Sequence, residues 1–150
     1  MDFQTPPKIC KIMAEMILLI PNGKTILEPT PGEGNLVEAI RNLGYNVVVP
    51  PNSFWDIFGW FDAIVMNPPF SPMKTGYEIL YQSMKMADII IALMPWLTII
   101  NSEKRTNDIK EFGLKSITHL PRNVFPGSRV QTCILQMEKG YAGFCEFKIL

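Results

Sequence analysis

Histidine is almost missing from this sequence: His119 is the only one in 150 residues. A lone imidazole argues against a histidine-based zinc site and against a Ser-His-Asp relay, so no metal is expected. Cysteine is scarce as well. The three residues Cys10, Cys133 and Cys145 form no Cys-x-x-Cys pair. An odd count without metal spacing fits a reducing, cytoplasmic setting. Charge of one sign is not in excess, with Lys plus Arg at 14 and Asp plus Glu at 14. Proteins that grip nucleic acid alone usually carry a basic excess, and the sum gives no such signal, although a local patch stays open. No apolar run approaches the roughly 20 residues that span a bilayer, and the first six residues do not read as a signal peptide, so no membrane partner is expected. Neither Gly-x-Gly-x-x-Gly nor the Gly-Lys-Ser/Thr of a phosphate-binding loop occurs.

What is present is alternation. Apolar residues make up 47% and charged residues 19%, a globular balance, and the length suits one domain over residues 1–150. Thr5 is placed to cap a first helix whose stripe is Ile9, Ile12, Met13, Met16 and Ile17. Pro21-Asn22-Gly23 ends it. Strands are expected at Thr25 to Glu28, Val47 to Val49, Phe61 to Met66 and Asp88 to Met94, the last stopped by Pro95. Between them lie helical stripes: Leu36, Ala39, Ile40 and Leu43 before Gly44, then Tyr77, Leu80, Tyr81 and Met84. Lys104 to Phe112 reads as a short helix and Ser116 to Leu120 as a strand. Val130 to Glu138 and Phe144 to Leu150 read as two strands joined around Lys139-Gly140 in an antiparallel hairpin. Continuous apolar strands alternating with helices imply an α/β fold, a mainly parallel sheet with helices on both faces. In such sheets ligands sit beyond the carboxyl ends of the strands, and the unusual residues gather in the loops that leave those ends.

Two of these loops carry chemistry. Glu28-Pro29-Thr30-Pro31-Gly32-Glu33-Gly34 lets a ligand approach main-chain amides at its glycines, and the helix starting near Asn35 points its amino end the same way. Its two acids would repel a pyrophosphate and suit a ligand with a cationic amino group. That weakens a nicotinamide-dependent oxidoreductase reading. In Asn67-Pro68-Pro69-Phe70 an apolar strand ends in an amide, two prolines and an aromatic. The prolines stiffen the backbone and remove two donors, leaving acceptors beside a flat ring. Such a cluster suits a planar ligand bearing an amino group. Each loop alone is also what a plain connection after a buried strand would look like; together they are harder to explain that way.

The pair of loops resembles the amino-methyltransferases of the adenine-N6 type, and the resemblance extends over most of the chain. Phe3-Gln4-Thr5-Pro6 resembles the family's segment before the first helix. Trp55-Asp56-Ile57-Phe58 resembles its adenine-holding segment, and Phe125 to Thr132 resembles the loop and late strand that wall the target pocket. The family usually has an acid after the second strand, for the ribose hydroxyls; here Pro50-Pro51-Asn52-Ser53 stands there, with Asn52 or Ser53 as substitutes. The resemblance implies a Rossmann-like methyltransferase fold and S-adenosylmethionine as cofactor. Thr5, Glu28, Pro29, Thr30, Gly32 and Gly34 would surround its methionine part, and Asp56 and Ile57 its adenine. Asn67, Pro68, Pro69 and Phe70 would be catalytic, with Asn67 also against the cofactor. The implied target is N6 of adenine, in DNA before RNA. Alternatives are an RNA guanine amino group, a protein glutamine amide, or a non-catalytic cofactor-binding subunit. Only Ser71 to Gly76 separates the active-site loop from the next helix, so the chain reads as a bare catalytic core without a target-recognition domain, and a partner subunit is expected to supply recognition. Trp55, Trp60 and Trp96 read as packing residues. Lys104, Arg105, Lys110 and Lys115 read as a solvated face, whereas Arg122 and Arg129 flank the target side, where phosphate contact is as reasonable as not.

Overall fold

The computed structural model describes residues 4–150, so Phe3 lies outside the described residues. Helix α1 covers Pro7–Glu15 and buries Ile9, Cys10, Met13 and Ala14. Pro6, not Thr5, is its cap residue, and no side chain caps it. The expected Thr5 cap fails because that hydroxyl is engaged elsewhere, accepting from Asn67 Nδ2 at 2.7 Å. Next come β1 (Thr25–Leu27), α2 (Asn35–Arg41), β2 (Asn46–Val48), a 3-10 turn at Phe54–Asp56 and β3 (Ala63–Met66). They are followed by α3 (Met73–Ser83), β4 (Ile89–Pro95), the single-turn α4 (Leu97–Ile100) and α5 (Glu103–Phe112). The chain finishes with β5 (Leu114–His119), a 3-10 turn at Arg122–Val124, β6 (Thr132–Glu138) and β7 (Glu146–Ile149).

The seven strands form one sheet in the order β2-β1-β3-β4-β6-β5-β7. All four residues of β3 are buried, because both faces are covered. Successive side chains point to opposite faces. Ala63 and Val65 therefore join Ile9, Met13 and Ile40 in one core, while Ile64 and Met66 join Ile79, Leu80 and Ile109 in the other. This is the mainly parallel α/β sheet that the alternation implied, with one antiparallel strand.

That antiparallel strand is β6, and its hairpin partner differs from the expected one. β6 runs antiparallel to β4 on one side and to β5 on the other. Both its edges are occupied, so the last strand cannot fold back onto it. β7 instead passes across and pairs in parallel with β5 at the sheet edge. The crossing depends on Gly113, whose φ of +131° favours glycine and whose added Cβ would lie 2.0 Å from the Glu138 carbonyl oxygen. That carbonyl accepts from Tyr141 N, and Gly140 N donates to Phe112 O at 2.8 Å. Gly113→Ala is expected to cost roughly 2–4 kcal/mol, combining backbone strain with steric overlap. Urea denaturation measures it; an unchanged midpoint would show that this junction bears no strain.

Candidate functional site

The loops after β1 and β3 meet at the carboxyl ends of their strands and line one cleft of about 560 Å³. Each is fixed by the strand before it. Leu27 and Met66 have no exposed surface, so the residues that follow leave the sheet at set positions. Glu28 still donates its N–H to Val48 O at 3.0 Å, continuing the ladder one residue past β1.

The Glu28 side chain turns inward and is only 1% exposed. Its Oε1 accepts from Thr30 N at 2.7 Å. The Thr30 hydroxyl lies between the two loops, 3.4 Å from Glu28 Oε1 and 3.2 Å from the Asn67 carbonyl oxygen. Burial pushes the Glu28 carboxyl up to about 8, although the Thr30 N–H and hydroxyl favour its charged form. At neutral pH the site therefore holds a carboxylic acid poised to ionise when a cation arrives.

The segment before α1 closes the same side. Gln4 Oε1 accepts from Glu33 N at 3.0 Å, and Asn35 Nδ2 donates to the Thr5 carbonyl at 3.1 Å. Gly32 has φ +54°, and a Cβ there would meet the Gln4 amide at 2.7 Å. Thr5 engages Asn67 through its amide nitrogen, which sets the Asn67 side-chain oxygen on the other branch of that amide. On the far wall Phe70 meets buried Phe125 edge to face, with centroids 6.3 Å apart. Helix α3 presses against the loop at Gly76, where a Cβ would lie 3.0 Å from the Pro69 carbonyl oxygen.

Of the residues singled out from sequence, Thr5, Glu28, Pro29, Thr30, Gly32 and Asn67 to Phe70 all line this cleft. Gly34 does not; it is the residue before α2, in the left-handed region at φ +90°. Asp56 and Ile57 do not line it either. Asp56 is exposed, and Ile57 packs on the second core. From the same turn, Phe54 and Trp55 face the cleft, as does Asn52. Ser53 caps the turn by accepting from Trp55 N at 3.2 Å, so of the two candidate substitutes only Asn52 reaches the cleft. Gly127, Ser128, Arg129 and Val130 form the outer wall. Gln4, Asn35 and Phe54 were not singled out for the site. Gln4 lies in the segment before α1 noted for its resemblance and Asn35 opens α2, and it is the hydrogen bonds between the chain start and the first loop that bring their amides to the cleft.

Two of the basic residues of α5, Arg105 and Lys104, have partners within the fold. Arg105 donates to Thr98 O and Leu97 O and stacks on Tyr77, 3.7 Å from the ring centre. Lys104 pairs with Asp108 at 2.7 Å. His119 Nδ1 accepts from Trp96 Nε1 at 2.9 Å, which ties both rings to packing rather than to the cleft. Among the described residues no group of His, Cys, Asp or Glu is placed to hold a metal ion, and no helix is long and apolar enough to cross a membrane.

No protein-family model matches the chain, and no curated protein does. Solved structures do. The methyltransferase subunit of a type I restriction-modification system from Streptococcus thermophilus aligns at TM-score 0.80 and 15% identity, over 98% of this chain and 47% of that one. A Listeria monocytogenes protein proposed to be a class I S-adenosylmethionine-dependent methyltransferase aligns at TM-score 0.74 and 15% identity, over 98% of this chain and 65% of its own. A 23S rRNA methyltransferase aligns at TM-score 0.60 and 17% identity, over 92% of this chain and 70% of that one. The chain thus spans about half the length of the first relative and under two thirds of the second. At such identities the likeness speaks of architecture, and the chain has the Rossmann-like methyltransferase fold.

Proposed function

We propose that the protein is an S-adenosylmethionine-dependent methyltransferase acting on an exocyclic amine, N6 of adenine in DNA before RNA. One observation carries this reading: the acidic Pro-Gly loop and the Asn-Pro-Pro-Phe loop share a single cleft and are tied to each other through Thr30 and, by way of Thr5, through Asn67. The cleft's volume is in the range of roughly 300–1,000 Å³ typical of small-molecule sites.

The residues present fit the cofactor. Buried Glu28 suits its cationic amino group, with Pro29, Thr30, Gly32 and Thr5 around the methionine part and Gly34 shaping the turn behind them. Phe54 and Trp55 offer flat faces for its adenine, in place of Asp56 and Ile57, which do not line the cleft. When bound, S-adenosylmethionine supplies an electrophilic methyl group. Asn67 Oδ1 and the Pro68 carbonyl accept the two N–H groups of the target amine. Accepting both draws the nitrogen lone pair out of conjugation with its ring. The same oxygens stabilise the positive charge that grows on that nitrogen. Pro68 and Pro69 keep the acceptors in place, which contributes through orientation. Phe70, braced by Phe125, gives the target base a stacking surface, worth about 1–3 kcal/mol. A paired base must be flipped out to reach it. No strong base is required, which suits a site without histidine.

The likeness to a restriction-modification methyltransferase subunit supports DNA as substrate and a partner subunit for recognition, and the 23S rRNA methyltransferase keeps RNA in view. Transfer of a radiolabelled methyl group to unmodified DNA, RNA and protein, followed by nucleoside and amino-acid analysis, tests the reading. The expected product is N6-methyladenine in DNA. Label in an RNA guanine or a protein glutamine would move the target. Cofactor binding without transfer to any of them would favour a non-catalytic subunit.

A further inference from the structure

A cluster of exposed apolar side chains lies at the end of the sheet away from β2. Strand β7 is exposed along its whole length, with Phe147 at 59%, Ile149 at 72% and neighbouring Phe144 at 98%. On one flank β7 pairs with β5; the other is the sheet edge. Leu150 N donates to His119 O at 3.1 Å, so Leu150, Lys148 and Glu146 direct their main-chain groups toward β5. By alternation, Phe147 and Ile149 direct theirs outward. The apolar side chains share the sheet face of Trp96, whose ring lies 6.1 Å from that of Phe147. Glu146 and Lys148 are on the opposite face.

We propose that β7 is a homodimer interface in which two copies pair their edge strands antiparallel about a two-fold axis, making one continuous sheet. The strand's own charges select both the partner and the register. A two-fold axis perpendicular to a sheet sets residues of like parity opposite each other. Centring the axis on Phe147 places Glu146 of each copy opposite Lys148 of the other, and Phe147 opposite its own counterpart. The outward main-chain groups of Phe147 then exchange two hydrogen bonds across the axis. Shifting the centre by one residue in either direction sets Glu146 against Glu146 or Lys148 against Lys148, and like charges directly opposite are destabilising. Exposed edges of this kind are templates for added strands, and this one carries no proline or bulge to block it. The proposal does not depend on the chemistry of the cleft.

Sedimentation equilibrium of the whole chain tests it. The wild type is expected to dimerise, and both Glu146→Lys and Lys148→Glu to weaken dimerisation by about tenfold or more, since each sets like charges opposite in both pairs. Both positions are exposed, so thermal melting at a dilution where the wild type is monomeric should be unchanged and should confirm that the variants fold. Mixing the two variants should restore a dimer containing one copy of each, because each pair is again of opposite sign. A monomeric wild type would overturn the proposal. So would a dimer indifferent to both variants, or a mixture with no preference for the heterodimer.

Discussion

Asn67→Ala is expected to lower methyl transfer by at least about 10²- to 10³-fold while leaving S-adenosylmethionine affinity within a few-fold of the wild type. The split follows from where Asn67 sits. Its main-chain carbonyl accepts from the Thr30 hydroxyl, and the substitution leaves that carbonyl in place. Its side-chain nitrogen is committed to Thr5, and its side-chain oxygen is the group assigned to the target amine. The substitution removes both side-chain functions, so a second variant separates them. Thr5→Val takes away the hydroxyl that anchors the amide nitrogen and keeps the oxygen. It should cost about tenfold or less, a loss of orientation rather than of the acceptor. Calorimetry for the cofactor and single-turnover transfer for the chemistry measure the two quantities. Equal losses in the two variants would mean that Asn67 acts only as a brace.

The second large effect is expected at Glu28 and appears in pH dependence. Its carboxyl is held near 8 by burial, against an ordinary value of 4.5. Between those values the folded protein keeps a proton that the unfolded chain has released. The stabilising contribution is complete below pH 4.5 and is lost as pH rises through 8, by about tenfold in the folding equilibrium per pH unit within that window. Glu28→Gln, neutral throughout, should lack this slope. Urea denaturation of both proteins at pH 5 and pH 8 compares them, and parallel losses would show that Glu28 ionises normally. The same proton bears on the proposed ligand. A cationic amino group beside the carboxyl favours its ionised form, so cofactor binding at pH 7 should release a proton in the wild type and none from this position in Glu28→Gln. Calorimetry in two buffers of different ionisation heat counts it.

Much of this arrangement was legible in local sequence. The apolar run before Asn67 had to be a buried strand, and Pro-Gly and Pro-Pro segments after two such strands had to meet where parallel strands end. Other features depend on competition between distant elements. A hairpin of the last two strands is locally reasonable, yet β4 and β5 occupy both edges of β6. Thr5 has the chemistry of a helix cap, but the better partner lies 62 residues away, at Asn67. Gln4 and Asn35 are ordinary amides until the chain start folds against the first loop. The turn at Phe54–Asp56 shows the finer limit: sequence located the segment, while the backbone decides that Phe54 and Trp55 face the cleft and Asp56 does not.

A crystal structure grown with saturating S-adenosylmethionine tests the central claim most directly. The account predicts the amino acid portion against Glu28 and Gly32, with the reactive methyl directed at the space in front of the Asn67 side-chain oxygen and the Pro68 carbonyl. Density for the ligand anywhere else, or a methyl group turned away from those two oxygens, would contradict it.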